Sequence, residues 1–198
     1  VAYPFSGYWV DVGTIQSYWE ANLSLLDDLP PLDMADPSWV IHTRSEEYPP
    51  VRIGGQATAR ASMLSNGCVI EGTVIHSVLS PGVRVEAGAV VRDSVIMNDT
   101  VIGAGAVIDR CVLDKEIKVG RGAQLGCGDD NTPNRLEPAN LDTGITIVGK
   151  RAHVAAGAVF GRNCRVDPNT TADDYDELEV PSGGTISKRA TVIDDTVR

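Results

Sequence analysis

From residue 60 onward, aliphatic residues return in a fixed order. Ser77-Val78-Leu79, Ser94-Val95-Ile96 and Cys111-Val112-Leu113 follow one another every 17 residues, as do Val85, Ile102 and Val119, and Gly88, Gly105 and Gly122. Within each unit the aliphatics fall about six apart. This is clearest in Val148, Val154, Phe160 and Val166, where VGKRAH, VAAGAV and FGRNCR run head to tail. An amphipathic helix needs apolar residues at i, i+3, i+4 and i+7, and a half-buried hairpin needs strict alternation with turn dipeptides between the strands. The pattern fits neither and predicts three short strands per coil, each turning its aliphatic residue inward. Coils of this kind stack, because none buries its core alone. Small residues (Ala87, Ala104, Ala106, Ala156) and the frequent glycines fall where bulk would crowd the next coil. A Val- and Gly-rich β-sandwich is the competing fold, and the six-residue phasing argues against it.

Hexapeptide phasing of this type resembles that of left-handed parallel β-helices, and the expected handedness comes from that resemblance. Upstream, Ile15, Tyr18, Trp19, Leu23 and Leu26 lie at helical spacing, with Thr14 placed to cap the start, which predicts a helix over 14–28. The Pro-rich LPPLDMADPSW and EEYPPVRIGG read as a linker over 29–58, and the coils occupy 59–198. Two departures interrupt the solenoid. GCGDDNTPNRLEPANLDTG breaks the phase, so 127–144 is expected to leave the solenoid as a long loop of functional or oligomeric use. The acidic, turn-rich 167–198 is expected to cap the last coil and keep its edge from pairing with another molecule.

Seventeen Lys and Arg stand against 27 Asp and Glu, a net charge of -10. That excludes the broad basic surface on which nucleic-acid binding rests, although a small phosphorylated ligand needs only a local cluster of cations. No apolar run of about 18 residues is present to cross a membrane. Cys68, Cys111, Cys127 and Cys164 form no C-x-x-C pair and read as free thiols of a cytoplasmic protein. Cys111 takes the repeat position of Ser77 and Ser94, which marks a small packed residue rather than a nucleophile. The start at Val1, without Met and in an aromatic-rich stretch, reads as a fragment of a longer chain.

Gly7-Tyr8-Trp9-Val10-Asp11-Val12-Gly13-Thr14 sets one carboxylate between bulky aromatics and a glycine turn that opens a helix. Asp11 is therefore a candidate ligand for a hard cation such as Mg²⁺, which binds one or two carboxylates plus substrate phosphates; the competing role is that of a turn residue. GYWVDVGTIQSYWEANLSLL resembles the end of the catalytic domain of ADP-glucose pyrophosphorylases (glucose-1-phosphate adenylyltransferases), with its Y-W-x-D-V-G-T pattern and Y-W-x-A-N helix. PPVRIGG, NGCVIEGTVIHSVLSPGVRV and RCVLDKEIKVGRG resemble the linker and β-helix of the same enzymes, in the same order.

The resemblance implies that residues 1–28 end a nucleotidyltransferase domain, with Asp11 binding Mg²⁺ at the sugar-nucleotide phosphates and Trp9 beside that catalytic site. It implies attack of a glucose 1-phosphate oxygen on the α-phosphorus of ATP with loss of pyrophosphate, in glycogen-type glucan synthesis. It also implies an anionic metabolite effector contacted by Lys115, the basic residue after the aliphatic-Asp pair, with Arg110 nearby, and a homotetrameric full-length enzyme. The nucleotide loop, the sugar-phosphate contacts and a second metal Asp have no counterpart here, so the chain alone is expected to be inactive. The stretch 127–144 and the hexapeptides after it make the tail longer than in the enterobacterial-type members of the family.

Three alternatives remain: another sugar-nucleotide pyrophosphorylase acting on a different nucleotide or sugar, a non-catalytic homologue that keeps the β-helix for subunit contacts, and a hexapeptide acyltransferase with a coil-edge His as base. His153 is the best placed for the last, but neither it nor His76 has a partner acid evident in the sequence.

Overall fold

The computed structural model describes residues 2–34, 36–42 and 47–189. From Arg52 onward the chain winds as a parallel β-helix whose three sheets hold six, seven and seven strands among the described residues. Each regular coil gives one short strand to every sheet, as Val101–Ile102, Val107–Asp109 and Cys111–Leu113 do for the first, second and third sheets. Amides of one coil donate to carbonyls of the next: Val101 to Ile117 at 2.8 Å, Val107 to Ala123 at 2.8 Å and Met97 to Leu113 at 2.9 Å.

Because side chains alternate along a strand, in-register pairing brings each inward position into a column. The first sheet stacks Ile70, Val85, Ile102, Val119 and Val154. The second stacks Val74, Val91, Ile108, Leu125 and Phe160. The third stacks Leu79, Ile96, Leu113, Val148 and Val166. All of these are buried, so the core consists of three aliphatic columns lining one narrow interior.

Turning from one sheet to the next needs a left-handed residue at each corner. Between the first and second sheets Gly88, Gly105, Gly122 and Gly157 supply it, with φ between 66 and 73°. Between the second and third sheets the same conformation falls on His76, Asp93 and Arg110, with φ of 45, 48 and 51°. A non-glycine residue there carries a cost of roughly 1–2 kcal/mol, offset by the hydrogen bonds of the corner. The backbone N–H groups of these residues donate to Arg60, Ile75 and Arg92 carbonyls of the preceding coil.

The residue after each of these forms a polar column. Ser77 Oγ donates to the Ile75 carbonyl and accepts the Ser94 N–H; Ser94 Oγ donates to the Arg92 carbonyl and accepts the Cys111 N–H at 3.0 Å. Cys111 Sγ ends the run on the Asp109 carbonyl. The position that reads in the sequence as small and packed thus also serves the buried amide of the next coil.

The repeat is less uniform than its clearest stretch. Val69 pairs with Arg84, a shorter coil than the one that joins Arg84 to Val101. That short coil puts Arg52–Ile53 out of phase with the repeat, and its pairing with Val69–Ile70 starts the solenoid inside the stretch that reads as linker. At the other end Glu179–Val180 and Thr185–Ile186 pair with Val159–Phe160 and Arg165–Val166, so part of the expected cap continues the coils. Tyr175 stacks on Phe160, with centroids 6.1 Å apart. Residues 190–198 of that segment lie outside the described residues.

The segment 127–144 leaves the coil and returns to it without disturbing the register. Lys118 pairs with His153 and Gln124 with Val159, as if the loop were absent. It folds back on the solenoid through two buried amides. Asn134 Nδ2 donates to the Asn163 and Gly184 carbonyls, while its Oδ1 accepts the Leu136 and Glu137 N–H groups. Asn163 Oδ1 accepts the Gly144 N–H at 2.6 Å, and its Nδ2 donates to the Asn131 and Thr132 carbonyls.

Helix α1 spans Ile15–Leu23 and passes into a 3-10 turn over Ser24–Leu26, within the expected 14–28. Thr14 caps it as the sequence predicts: its Oγ1 accepts the Ser17 N–H, and Ser17 Oγ accepts the Thr14 N–H. The helix packs against the strand Val95–Ile96. The outward positions of that sheet, Val78, Val95, Val112 and Ile147, are aliphatic and shed water under a helix.

Replacing Ser94 by Ala removes the acceptor for the buried Cys111 amide. We expect a loss of about 1–3 kcal/mol in unfolding free energy, read by urea denaturation, whereas Ser94→Thr, if its methyl fits, retains most of it.

Candidate functional site

Residues 7–14 run without regular structure into the N-terminus of α1, and both Trp9 and Asp11 are exposed. The Asp11 carboxylate has no hydrogen-bond or ion-pair partner among the described residues. Gly13 adjoins it: a side-chain carbon at position 13 would lie 3.4 Å from Asp11 Oδ1, at ordinary contact distance. Among the described residues no group of three or more His, Cys, Asp and Glu side chains is arranged to hold a metal ion. The residues present therefore fit one oxygen ligand of a hard cation, with the remaining ligands coming from outside them.

Two clefts flank the segment that follows Asp11. One, of about 570 Å³, lies between Val12–Tyr18 and the outward residues Met97, Val112 and Ile147 of the third sheet. The other, of about 460 Å³, lies between Gly13–Gln16 and residues 139–143 of the loop, including Asn140 and Asp142. The loop thus walls the helix start, a juxtaposition that nothing in the sequence announces.

The two candidate effector residues have different surroundings. Lys115 is exposed, its backbone N–H donates to Asp114 Oδ1 at 2.7 Å, and its ammonium has no ion-pair partner among the described residues. The adjoining cations are engaged, since Glu116 holds Lys150 at 3.2 Å and Arg151 at 3.4 Å. Arg110, in contrast, lays its guanidinium over the Trp19 ring, 4.5 Å from the centroid, and donates from Nε to the Thr143 carbonyl at 3.2 Å.

Comparison with known proteins bears on what this arrangement serves. The profile of the GlmU-like C-terminal hexapeptide family matches residues 51–148, which lie within the solenoid and its loop. A glucose-1-phosphate adenylyltransferase of Thermomicrobium roseum is 58% identical over 192 residues, covering 96% of this chain and 45% of that enzyme. An alignment of that length includes both Asp11 and Lys115. The chain is a homologue of the C-terminal part of the glucose-1-phosphate adenylyltransferases. The enzyme of that name from Acetivibrio thermocellus is 42% identical over 187 residues, covering 94% of this chain and 44% of its own length. That from Fervidobacterium nodosum is 40% identical over 162 residues, covering 82% and 39%. The chain spans less than half the length of these adenylyltransferases.

Within this adenylyltransferase-like region, two charged pairings escape the sequence reading. Asp109, only 13% exposed at its side chain, accepts from Arg92 at 3.0 Å and Arg162 at 3.3 Å. His76 does have an acid partner: its Nδ1 lies 2.7 Å from Asp93 Oδ1. The two are neighbours in the corner column, 17 positions apart in the chain, and the coil period would have found them. His153 is exposed on the first sheet.

The thiols behave as the sequence predicts, free and mostly buried. Burial pushes Cys164 up to about 11 and Cys111 further still, so both are neutral at pH 8. Cys127 is half-buried and donates to the Phe160 carbonyl. We expect a disulfide-exchange reagent at pH 8 to modify Cys127 in the native protein, and Cys68, Cys111 and Cys164 only after unfolding, as counted by mass spectrometry of the labelled peptides.

Proposed function

We propose that the chain is the C-terminal regulatory and oligomerisation region of a glucose-1-phosphate adenylyltransferase, the enzyme that converts ATP and glucose 1-phosphate into ADP-glucose and pyrophosphate. The observation that carries this reading is the 58% identity extending through both the Asp11 segment and the solenoid. Residues outside this chain supply the nucleotide and sugar contacts. Within it, the open carboxylate of Asp11 is one oxygen ligand for Mg²⁺, and Trp9 borders the same site. Bound there, the cation neutralises charge on the phosphoryl oxygens. The capped start of α1 orients the segment.

Lys115 is the contact for an anionic metabolite effector. An exposed ammonium on a coil corner, without an ion-pair partner among the described residues, binds phosphate as a point charge without first breaking an ion pair. The chain's net charge of -10 makes such an isolated cation selective for small anions over polyanions. Subunit contacts in the homotetramer fall to the solenoid faces that α1 leaves uncovered.

The test is ADP-glucose formation by the intact enzyme from ATP and glucose 1-phosphate, with Mg²⁺ varied and a panel of phosphorylated metabolites added. We expect Asp11→Asn to lower kcat/KM by about 100-fold or more at fixed Mg²⁺. Lys115→Ala is expected to raise the activation constant of the responding metabolite by about 10-fold. Absence of ADP-glucose formation would refute the substrate assignment, and an unchanged effector response would refute the role of Lys115.

A further inference from the structure

Among the described residues, Trp19 makes the hydrogen bond that ties helix α1 to the solenoid. Trp19 donates its indole N–H to the Asp93 carbonyl at 2.7 Å and lies under the guanidinium of Arg110. Asp93 and Arg110 are successive members of the corner column, so the indole bridges two coils at once. The column continues on the far side, where His76 meets the Asp93 carboxylate.

Arg110 is held from a third direction by the Thr143 carbonyl. The next residue, Gly144, has a φ of 80°, and an added side-chain carbon there would lie 2.8 Å from Asn131 Oδ1 of the same loop. Thr143 also lines the cleft whose opposite wall is Gly13–Gln16, directly after Asp11. These contacts run from α1 through Trp19 to Arg110 and on to Thr143, which faces the helix start across the cleft.

We propose that Arg110 is a positioning residue that latches α1, and with it the Asp11 segment, to both the solenoid and the 127–144 loop. The choice of side chain follows from its shape. A planar guanidinium stacks on an indole face while offering Nε–H in its own plane to a carbonyl; an ammonium satisfies one partner or the other. A displacement of the loop at Thr143 is then felt at the carboxylate without any ligand touching Arg110. The consequence for catalysis rests on the reading of Asp11 as a cation ligand, whereas the latch itself does not.

Hydrogen exchange of the intact enzyme, followed by mass spectrometry, separates the two. Arg110→Lys is expected to speed exchange of the Trp19–Leu23 amides and of the Gly144 amide by about 10-fold, with the central strands Val107–Asp109 unchanged. Trp19→Ala is expected to speed exchange at Gly144 as well, by way of Arg110, and the double variant to add little to either. Both single variants should raise the Mg²⁺ concentration needed for half-maximal rate, with a smaller effect on kcat. If Trp19→Ala leaves Gly144 protected, or Arg110→Lys leaves α1 protected, there is no latch. Loss of the effector response with α1 still protected would make Arg110 an effector contact and overturn the proposal. If Asp11→Asn leaves the Mg²⁺ requirement unchanged, the reading of Asp11 fails, and the exchange data still decide the latch.

Discussion

Coil-to-coil hydrogen bonding in parallel register is the constraint from which the rest of this structure follows. Strands of two or three residues have almost no stability as isolated pairs, so the ladder holds only if each coil presents its donors and acceptors at the height of its neighbours. The inward side chain of every strand then falls on its counterpart, and three aliphatic columns form. The corners must turn within a single residue, which forces the left-handed conformation. Where glycine does not supply it, His76, Asp93 and Arg110 do, at a conformational cost that the corner hydrogen bonds and the Ser77–Ser94–Cys111 column offset.

The same constraint explains how the chain accommodates its irregular parts. An insertion is tolerated if it leaves and rejoins the coil at one corner, as 127–144 does, because the ladder on either side then keeps its register. The inserted backbone still needs partners, and Asn134 and Asn163, both fully buried, provide them with carboxamides that donate and accept together. Outward faces have no such obligation. The third sheet presents Val78, Val95, Val112 and Ile147, which makes it the face on which α1 rests. Trp19 sets the helix's position there by joining an apolar body to a directed N–H.

Chemistry is distributed in keeping with this architecture. Asp11 stands exposed just before the helix cap, a single carboxylate that belongs to no metal-holding group of three or more His, Cys, Asp and Glu side chains among the described residues. Lys115 stands on a rigid corner with its charge unspent. Arg110, similar to it in sequence terms, is engaged on three sides by the indole, the corner backbone and the loop. The difference between two nearby cations in one coil is a difference in packing, since both are basic residues at the ends of adjacent turns.

The repeat, its three-strand coil and its aliphatic core were legible from the sequence because side-chain columns demand the same residue type at a constant interval. Trp9 and Lys115 were legible as candidates for a different reason, the likeness of their flanking motifs to those of adenylyltransferases; for Asp11 the local segment left a cation ligand and a turn residue as competing roles, and the likeness favoured the first. The capped helix was legible too, since Thr14 and the apolar spacing after it are local signals. The first strand, Arg52–Ile53, was hidden by a short coil that broke the phase, and the last strands by an acidic segment without aliphatic rhythm. The His76–Asp93 and Arg92–Asp109 pairs lie one coil period apart and were within reach of the repeat, whereas the Asp109–Arg162 pair, the folded-back loop and the stacking of Arg110 on Trp19 belong to the tertiary structure alone. Each joins residues far apart in the chain through a hydrogen bond or ring contact whose geometry exists only once the coils have stacked, and composition carries no record of which polar groups the stacking brings within reach.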